Sequence, residues 1–160
     1  MTGSGGDGIR VAVIMGSRSD AEVMAACEEY LQHFDIPYEA KVLSAHRNPE
    51  KLRQYVTELP ARGVRVVIAA AGMAAHLPGV IAAHVTLPVI GVPLAASGLG
   101  GLDALLSIVQ MPSGIPVATV SIGKAGAANA AVLAAEILAL NDPGLREKLA
   151  TFRSQGARLP

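Results

Sequence analysis

The chain has 160 residues, with 13 basic and 13 acidic side chains, and 51% of its residues are hydrophobic while only 3% are aromatic. This length suits one domain over residues 1–160, and the balanced charge argues against polymeric nucleic acid or a membrane surface as a partner. Because Ala, Val, Leu, Ile and Gly carry so much apolar surface on a small chain, we expect homo-oligomerisation.

Predicted strands and helices alternate after a polar, glycine-rich lead at residues 1–8, which we expect to be flexible and which lacks a signal-peptide core. Short apolar runs predict five buried strands, over 9–15, 37–43, 65–71, 88–92 and 117–122. The helices predicted to follow them cover 19–34, 48–59, 78–84, 103–109 and 124–140, with a last one over 142–155. This alternation predicts a flavodoxin-like three-layer α/β/α sandwich with a parallel five-stranded sheet in the order 2-1-3-4-5.

Local signals mark the starts of two helices. Ser19 and Glu22 have the spacing of a capping box, while Asn48 suits an N-cap with Pro49 at the first helical position. Cys27 lies in the first of these helices, which favours an inert packing role. A single cysteine excludes an intrachain disulfide framework and a Cys-rich metal site, and it fits a reducing cytoplasm.

The two C-terminal helices carry unusual apolar surfaces. The helix over 124–140 is apolar almost all round, so we expect the sheet to cover one side and another subunit the other. The helix over 142–155 has an apolar stripe of Leu145, Leu149 and Phe152. That stripe suits docking on its own domain or on a neighbouring subunit.

Three loops place polar residues directly after the first three predicted strands, which are neighbours in the predicted order. Ligands of open parallel sheets bind at such carboxyl ends, near the switch in strand order. The three loops read GSRSD at 16–20, SAHRNP at 44–49 and AGMAAHLPG at 71–79.

The first loop precedes a helix, where free backbone N–H groups and the helix dipole favour an anion. Ser17 and Ser19 add hydroxyl donors for a phosphate, and Asp20 suits the hydroxyls of a ribose. A plain capping box is the alternative interpretation.

The second and third loops supply imidazoles and a guanidinium. Arg47 can grip a phosphate through its planar fork, and His46 belongs to the side-chain type suited to proton exchange near neutrality. Around His76, small residues let a ligand approach backbone N–H groups that can hold a carboxylate. The alternatives are a loop histidine with a surface arginine, and a tightly packed helix entry. We expect His33 and His84 to be structural or exposed.

Motifs of several other chemistries are absent from the sequence. It contains no G-x-x-x-x-G-K-[ST], no G-x-G-x-x-G after the first strand, no G-x-S-x-G and no His/Cys/carboxylate cluster with metal spacing. These absences argue against a P-loop, a dinucleotide site, a serine hydrolase elbow and a metal centre.

Taken together, the three loops, SIVQMPSGIPV at 107–117 and IGKAGAANAA at 122–131 resemble the 5-(carboxyamino)imidazole ribonucleotide mutase family. The resemblance implies a cytoplasmic, flavodoxin-like homo-octamer of de novo purine synthesis, with active sites near subunit junctions. Such enzymes move a carboxylate from an exocyclic nitrogen to a ring carbon of a ribonucleotide. They need no metal, nucleotide cofactor or ATP.

The resemblance also implies one catalytic residue and a substrate-binding set. His46 matches the general acid/base. The residues implied to hold the phosphate are Ser17, Ser19 and Arg47, with Asp20 on the ribose hydroxyls. Those implied to surround the imidazole and the migrating carboxylate are Ser44, Ala45, Gly72 and His76. Ala95 and Ala96 stand where polar residues often occur, so contact of these two with substrate is unsupported.

Three alternatives stay open at this point. The related aminoimidazole ribonucleotide carboxylase shares the fold and the histidine but takes free carbon dioxide. A flavodoxin-like module for flavin mononucleotide would stack aromatic side chains on the flavin, yet none of the five Tyr and Phe residues lies in the three loops. A non-catalytic assembly subunit would explain the apolar helix but leave the His-Arg loop without a purpose.

Overall fold

Parallel strands alternate with helices in the computed structural model, which describes residues 8–159. The strands are β1 (Val11–Met15), β2 (Tyr38–Val42), β3 (Val66–Gly72), β4 (Val89–Leu94) and β5 (Ala118–Thr119). The helices are α1 (Ala21–His33), α2 (Pro49–Glu58), α3 (Leu77–Ala82), α4 (Leu102–Val109), α5 (Lys124–Ala139) and α6 (Pro143–Ser154). Residues 1–7, where we predict most of the flexible lead, lie outside the described residues.

The sheet has the order β2-β1-β3-β4-β5 with parallel pairing throughout, so the predicted fold class and strand order are confirmed. Met15 at the end of β1 pairs with Val42 of β2 on one side and with Ala70 of β3 on the other. The loops that follow these three strands therefore start at one level of the sheet. Within residues 8–159, no helix is long and apolar enough to cross a membrane.

Two hydrophobic cores lie on opposite faces of the sheet. Because side chains alternate along a strand, Val11 and Val13 face the core formed with α1, α5 and α6. Ala12 and Ile14 face the second core, formed with α2, α3 and α4. Burial on both faces explains why β1 reads as a continuous apolar run.

The apolar helix α5 packs mainly against elements of its own chain. It contacts β3 and β4 on one side and α1 and α6 on others, and Ala127, Ala131 and Ala135 are fully buried. We predicted another subunit as the second cover. Much of that side is covered by α1 and α6, while Val132, Leu133 and Ile137 stay partly accessible, so contact of α5 with a second subunit remains a prediction.

The stripe of α6 docks on the same domain. Leu145, Leu149 and Phe152 are buried, and the Phe152 ring lies 5.9 Å from the ring of Tyr30 and 5.2 Å from that of Phe34. These edge-to-face contacts hold the C-terminal helix against α1.

The capping box lies two residues earlier than predicted. Ser17 accepts a hydrogen bond from the backbone N–H of Ser19 at 3.4 Å, and Asp20 accepts one from that of Ser17 at 2.9 Å. The chain makes a 3-10 turn over Arg18–Asp20 before α1, so Ser19 lies inside this turn and its predicted pairing with Glu22 was wrong. At α2, the N-cap and first positions are as predicted, although the side chain at the N-cap makes no capping bond.

The two edge strands differ from the inner ones. β5 has only two paired residues, fewer than the six predicted. On β2, Glu39 accepts hydrogen bonds from the Tyr55 hydroxyl at 2.7 Å and from Arg62 at 2.9 Å, and Lys41 lies 3.7 Å from the same carboxylate. We call these four residues the β2 charge cluster. β4, in contrast, runs two residues further at its carboxyl end than predicted.

Candidate active site

A cleft of about 460 Å³ lies at the carboxyl ends of β1, β2 and β3. All the site residues predicted from the sequence line it: Ser17, Ser19, Asp20, Ser44, Ala45, His46, Arg47, Gly72 and His76. Their convergence follows from the sheet register, which ends the three strands at one level. The structure thus brings the three loops together as expected for an open parallel sheet.

Three backbone N–H groups of the first loop have acceptors within the loop. Ser17 N–H donates to the Asp20 carboxylate, Ser19 N–H to the Ser17 hydroxyl, and Asp20 N–H to the Ser17 carbonyl at 3.2 Å. We expected free backbone N–H groups in this loop to favour an anion, and these three are already engaged in the folded loop. The Ser19 hydroxyl lies 2.9 Å from the Ser17 oxygen and 3.5 Å from an Asp20 carboxylate oxygen, so its one proton is shared between these acceptors and the Ser17 O–H can donate into the cleft.

Asp20 is the buried charged residue of the cleft. Burial raises the pKa of its carboxyl, and the hydrogen bonds from Ser17 and Ser19 offset that rise only in part. The ionised carboxylate is therefore less favourable here than in water. A ligand with hydroxyl groups would supply the donors that an ionised, buried carboxylate lacks.

Asp20→Asn should stabilise the unliganded protein at neutral pH. With its pKa raised above the ordinary 3.8, Asp20 contributes stability below pH 3.8 and loses that contribution as pH rises through the folded-state pKa. Asparagine has nearly the same shape and carries no charge, so it avoids the loss. Urea unfolding at neutral and acidic pH checks this: the gain should shrink on acidification, and a less stable variant at neutral pH would contradict the prediction.

The second loop is held by one hydroxyl. Ser44 accepts hydrogen bonds from the backbone N–H groups of His46 at 3.3 Å and Arg47 at 3.2 Å. The side chains of His46 and Arg47 are exposed at the cleft. Within residues 8–159 the Arg47 guanidinium forms no ion pair or hydrogen bond, so it is available to an anion in the cleft.

Two imidazoles meet across the cleft. His46 Nε2 lies 2.6 Å from His76 Nδ1, and the ring planes are inclined at 77°. One nitrogen must donate and the other accept, so one proton lies between the two rings. His33 and His84 are exposed and do not line the cleft, as predicted. Within residues 8–159, no three His, Cys, Asp or Glu side chains are grouped to hold a metal ion.

Gly72 brings the β3 and β4 ends close together. It pairs with Leu94, and a Cβ added to it would lie only 2.5 Å from the Ala96 Cβ. Ala96 consequently lines the cleft, whereas Ala95 does not. The sequence left a role for Ala96 unsupported because polar residues often occur at this position, and the structure nevertheless places Ala96 at the cleft.

The remaining lining residues were not singled out from the sequence. They are small or apolar: Gly16, Ala71, Met73, Ala74, Ala75 and Leu77. All of them lie within the first and third loops, so the motifs contained the signal. These side chains offer few polar groups, and the third loop therefore forms an apolar wall of the cleft.

Sequence comparison identifies the family. A profile described as AIR carboxylase matches residues 10–158. The chain belongs to the AIR carboxylase family. It is 54% identical to the N5-carboxyaminoimidazole ribonucleotide mutase of Pyrococcus abyssi over 149 residues, 93% of this chain and 84% of that protein. Identity to the Bacillus subtilis protein of the same name is 56% over 139 residues, 87% of this chain and 86% of the relative.

Solved structures agree with this family assignment. The crystal structure of Treponema denticola PurE matches with a TM-score of 0.83 at 30% sequence identity, covering 92% of this chain and 90% of that one. Although the family profile is described as AIR carboxylase, both sequence relatives are named mutases. Their names therefore do not favour a carboxylase that uses free carbon dioxide, or a flavin-binding module. In addition, no Tyr or Phe side chain is among the lining residues.

Proposed function

We propose that this protein is an N5-carboxyaminoimidazole ribonucleotide mutase of de novo purine synthesis. The reaction converts 5-carboxyaminoimidazole ribonucleotide to 4-carboxy-5-aminoimidazole ribonucleotide. One observation carries the proposal: the cleft brings together the His46 imidazole, the Arg47 guanidinium and a hydroxyl-rich loop, in a chain 54% identical to a relative of that name. These are the groups that a proton-transfer reaction on a phosphorylated nucleoside requires.

The polar side of the cleft fits the ribose phosphate. Ser17 would donate its hydroxyl hydrogen to the phosphate, Ser19 would do so after turning its hydroxyl away from Ser17, and Arg47 would pair with the phosphate through its guanidinium. Asp20 would accept hydrogen bonds from the ribose hydroxyls, which also compensates its burial. Ser44 and Ala45 would lie between this anchor and the ring.

The apolar side of the cleft fits the migrating carboxylate. Protonation of the exocyclic nitrogen breaks its bond to the carboxylate and releases carbon dioxide, and the ring carbon then attacks that carbon dioxide and loses a proton. Walls such as Ala45, Gly72 and Ala96 would retain carbon dioxide near the ring. Recapture is then effectively unimolecular and needs no second substrate.

His46 is the proposed proton shuttle. One proton reaches the nitrogen and one leaves the ring carbon, so a single imidazole that gives and then takes a proton balances the reaction. His76, 2.6 Å away, is placed to exchange that proton and to set the tautomer of His46. A bound substrate that takes the place of His76 beside His46 Nε2 would exchange its proton with this nitrogen instead.

An ultraviolet assay of purified protein with the carboxyamino ribonucleotide tests this function. The mutase should turn over this substrate at the same rate with and without added bicarbonate. A strict requirement for bicarbonate, with the unsubstituted aminoimidazole ribonucleotide as the better substrate, would instead indicate the carboxylase. No turnover of either compound would overturn the proposal.

Arg47→Ala should mainly weaken substrate binding. Loss of a charge-assisted contact to phosphate should raise KM by roughly 10- to 100-fold, with a much smaller change in kcat because His46 remains. Steady-state kinetics check the split. Arg18→Ala is a matched control, since Arg18 is exposed in the neighbouring loop and does not line the cleft. A fall in kcat alone would contradict the assignment.

We also propose that the chain assembles as a homo-octamer in the cytoplasm. Supporting self-association, α4 exposes one apolar stripe in which Leu102, Leu106 and Val109 are 53%, 49% and 47% accessible. The octamer and the location rest on the family resemblance. Light scattering of the purified protein measures the mass, and a monomeric mass would contradict the assembly.

A further inference from the structure

The turn from Gly72 to Ala75 holds a side chain in an unfavourable conformation. Ala75 N–H donates to the Gly72 carbonyl at 3.1 Å, which closes a β-turn, and Met73 occupies its second position with φ of 55°. A positive φ at this position normally requires glycine, because a Cβ is strained there. Met73 therefore weakens the fold relative to glycine at the same place.

Nothing within the described chain compensates this strain through burial of the side chain. Met73 is 59% exposed, whereas Met15 and Met24 are buried in the core. Its side chain lines the cleft, in the loop that also carries His76. A strained residue with an exposed apolar side chain at a binding cleft indicates a role in the occupied state.

We propose that Met73 is a substrate-positioning residue whose thioether side chain folds over the occupied cleft and packs on the bound heterocycle. The inference rests on the proposed function, which supplies a flat aromatic ring. The polar anchors Ser17, Ser19 and Arg47 lie on the first and second loops, so the ring falls toward the apolar third loop. Methionine is unbranched and polarisable, which suits it to contact with an aromatic face.

Three variants separate the side chain from the backbone. Met73→Ala should raise KM about tenfold, because a partly buried apolar contact is lost. Met73→Leu should restore KM to within about threefold of the wild type, because leucine replaces the apolar bulk. Met73→Gly should bind as weakly as Met73→Ala yet melt about 2 °C or more above it, because glycine removes the strain.

Oxidation provides a readout that is independent of turnover. Dilute hydrogen peroxide should convert Met73 to its sulfoxide, measured by peptide mass, faster than the buried Met15 and Met24. The carboxylated product nucleotide should slow this oxidation several-fold. Inorganic phosphate at saturating concentration should not slow the oxidation, because it would occupy only the phosphate site formed by Ser17, Ser19 and Arg47.

The results of these experiments separate the positioning role of Met73 from the proposed mutase function. Absence of mutase turnover in the wild type would overturn both. An active wild type with unchanged KM in Met73→Ala, or equal protection of Met73 by phosphate and nucleotide, would overturn the positioning role alone. A change of assembly mass in Met73→Ala would also overturn it, since the side chain would then contact a second copy.

Discussion

His46→Asn should abolish isomerisation, lowering the rate of turnover by a factor of about 10² to 10⁴. Asparagine keeps a polar side chain in the loop but cannot exchange a proton near neutral pH. Its backbone N–H can still donate to Ser44, so the loop should hold its shape. Because the proposed phosphate contacts of Ser17, Ser19 and Arg47 are untouched, nucleotide binding should stay within roughly tenfold.

Single-turnover absorbance measures the chemical step, and calorimetry with the product nucleotide measures binding. His84→Asn is a matched control, since His84 is exposed and does not line the cleft. The turnover rate of His76→Asn should lie between those of His46→Asn and His84→Asn. This change removes the partner of His46 at 2.6 Å but leaves the His46 imidazole in place. Near-normal turnover by the His46 variant would overturn its assigned role.

Gly126→Ala should lower the free energy of unfolding by about 3 kcal/mol. In a helix, alanine is ordinarily favoured over glycine by about 1 kcal/mol, so the expected sign is reversed. Gly126 lies in the first turn of α5, where an added Cβ would lie 1.6 Å from the carbonyl oxygen of Ser121. The obstacle is backbone, which cannot rotate away, so either β5 or α5 must shift.

Gly144→Ala supplies the matched comparison. This glycine lies in the first turn of α6, is exposed, and an added Cβ would meet only the Asp142 side chain at 3.6 Å. Here alanine should stabilise by about 0.5 kcal/mol. Chemical unfolding of both variants measures the contrast. Equal effects of the two changes would show that helix propensity, rather than the close contact with the Ser121 carbonyl, determines the effect at Gly126.

Hydrophobic periodicity predicted the architecture because burial on both faces leaves a distinct pattern. β1, β3 and their covering helices have strong local signals, and the strand order followed from them. Boundaries were less predictable where tertiary contacts decide. The early end assigned to β4 and the long β5 reflect apolar runs whose pairing partners were not visible in the sequence. The sequence likewise left open whether α6 docks on its own domain or on a neighbour, and only the structure shows that it packs beside α5.

The candidate site was predictable where its residues share loops that one rule places together. Strand order brought three motifs to one cleft, and their side chains carried recognisable chemistry. Three-dimensional detail was not predictable. The contact between His46 and His76 joins residues thirty positions apart, and the strained φ of Met73 depends on the turn it closes. The sequence also did not reveal that the Ser17 N–H donates a hydrogen bond to Asp20 within the folded loop.

The edges of the sheet restrict how copies of this chain can associate. Adding a strand from another molecule requires a row of unpaired backbone groups, and β5 offers only two residues for such pairing. At the other edge, β2 itself carries the charged residues Glu39 and Lys41 of the β2 charge cluster, and Arg62 pairs with Glu39. An incoming strand would have to desolvate these charges. Association through helix faces such as α4 is therefore favoured over a sheet continuous between molecules, and stacking into fibrils by strand addition is disfavoured.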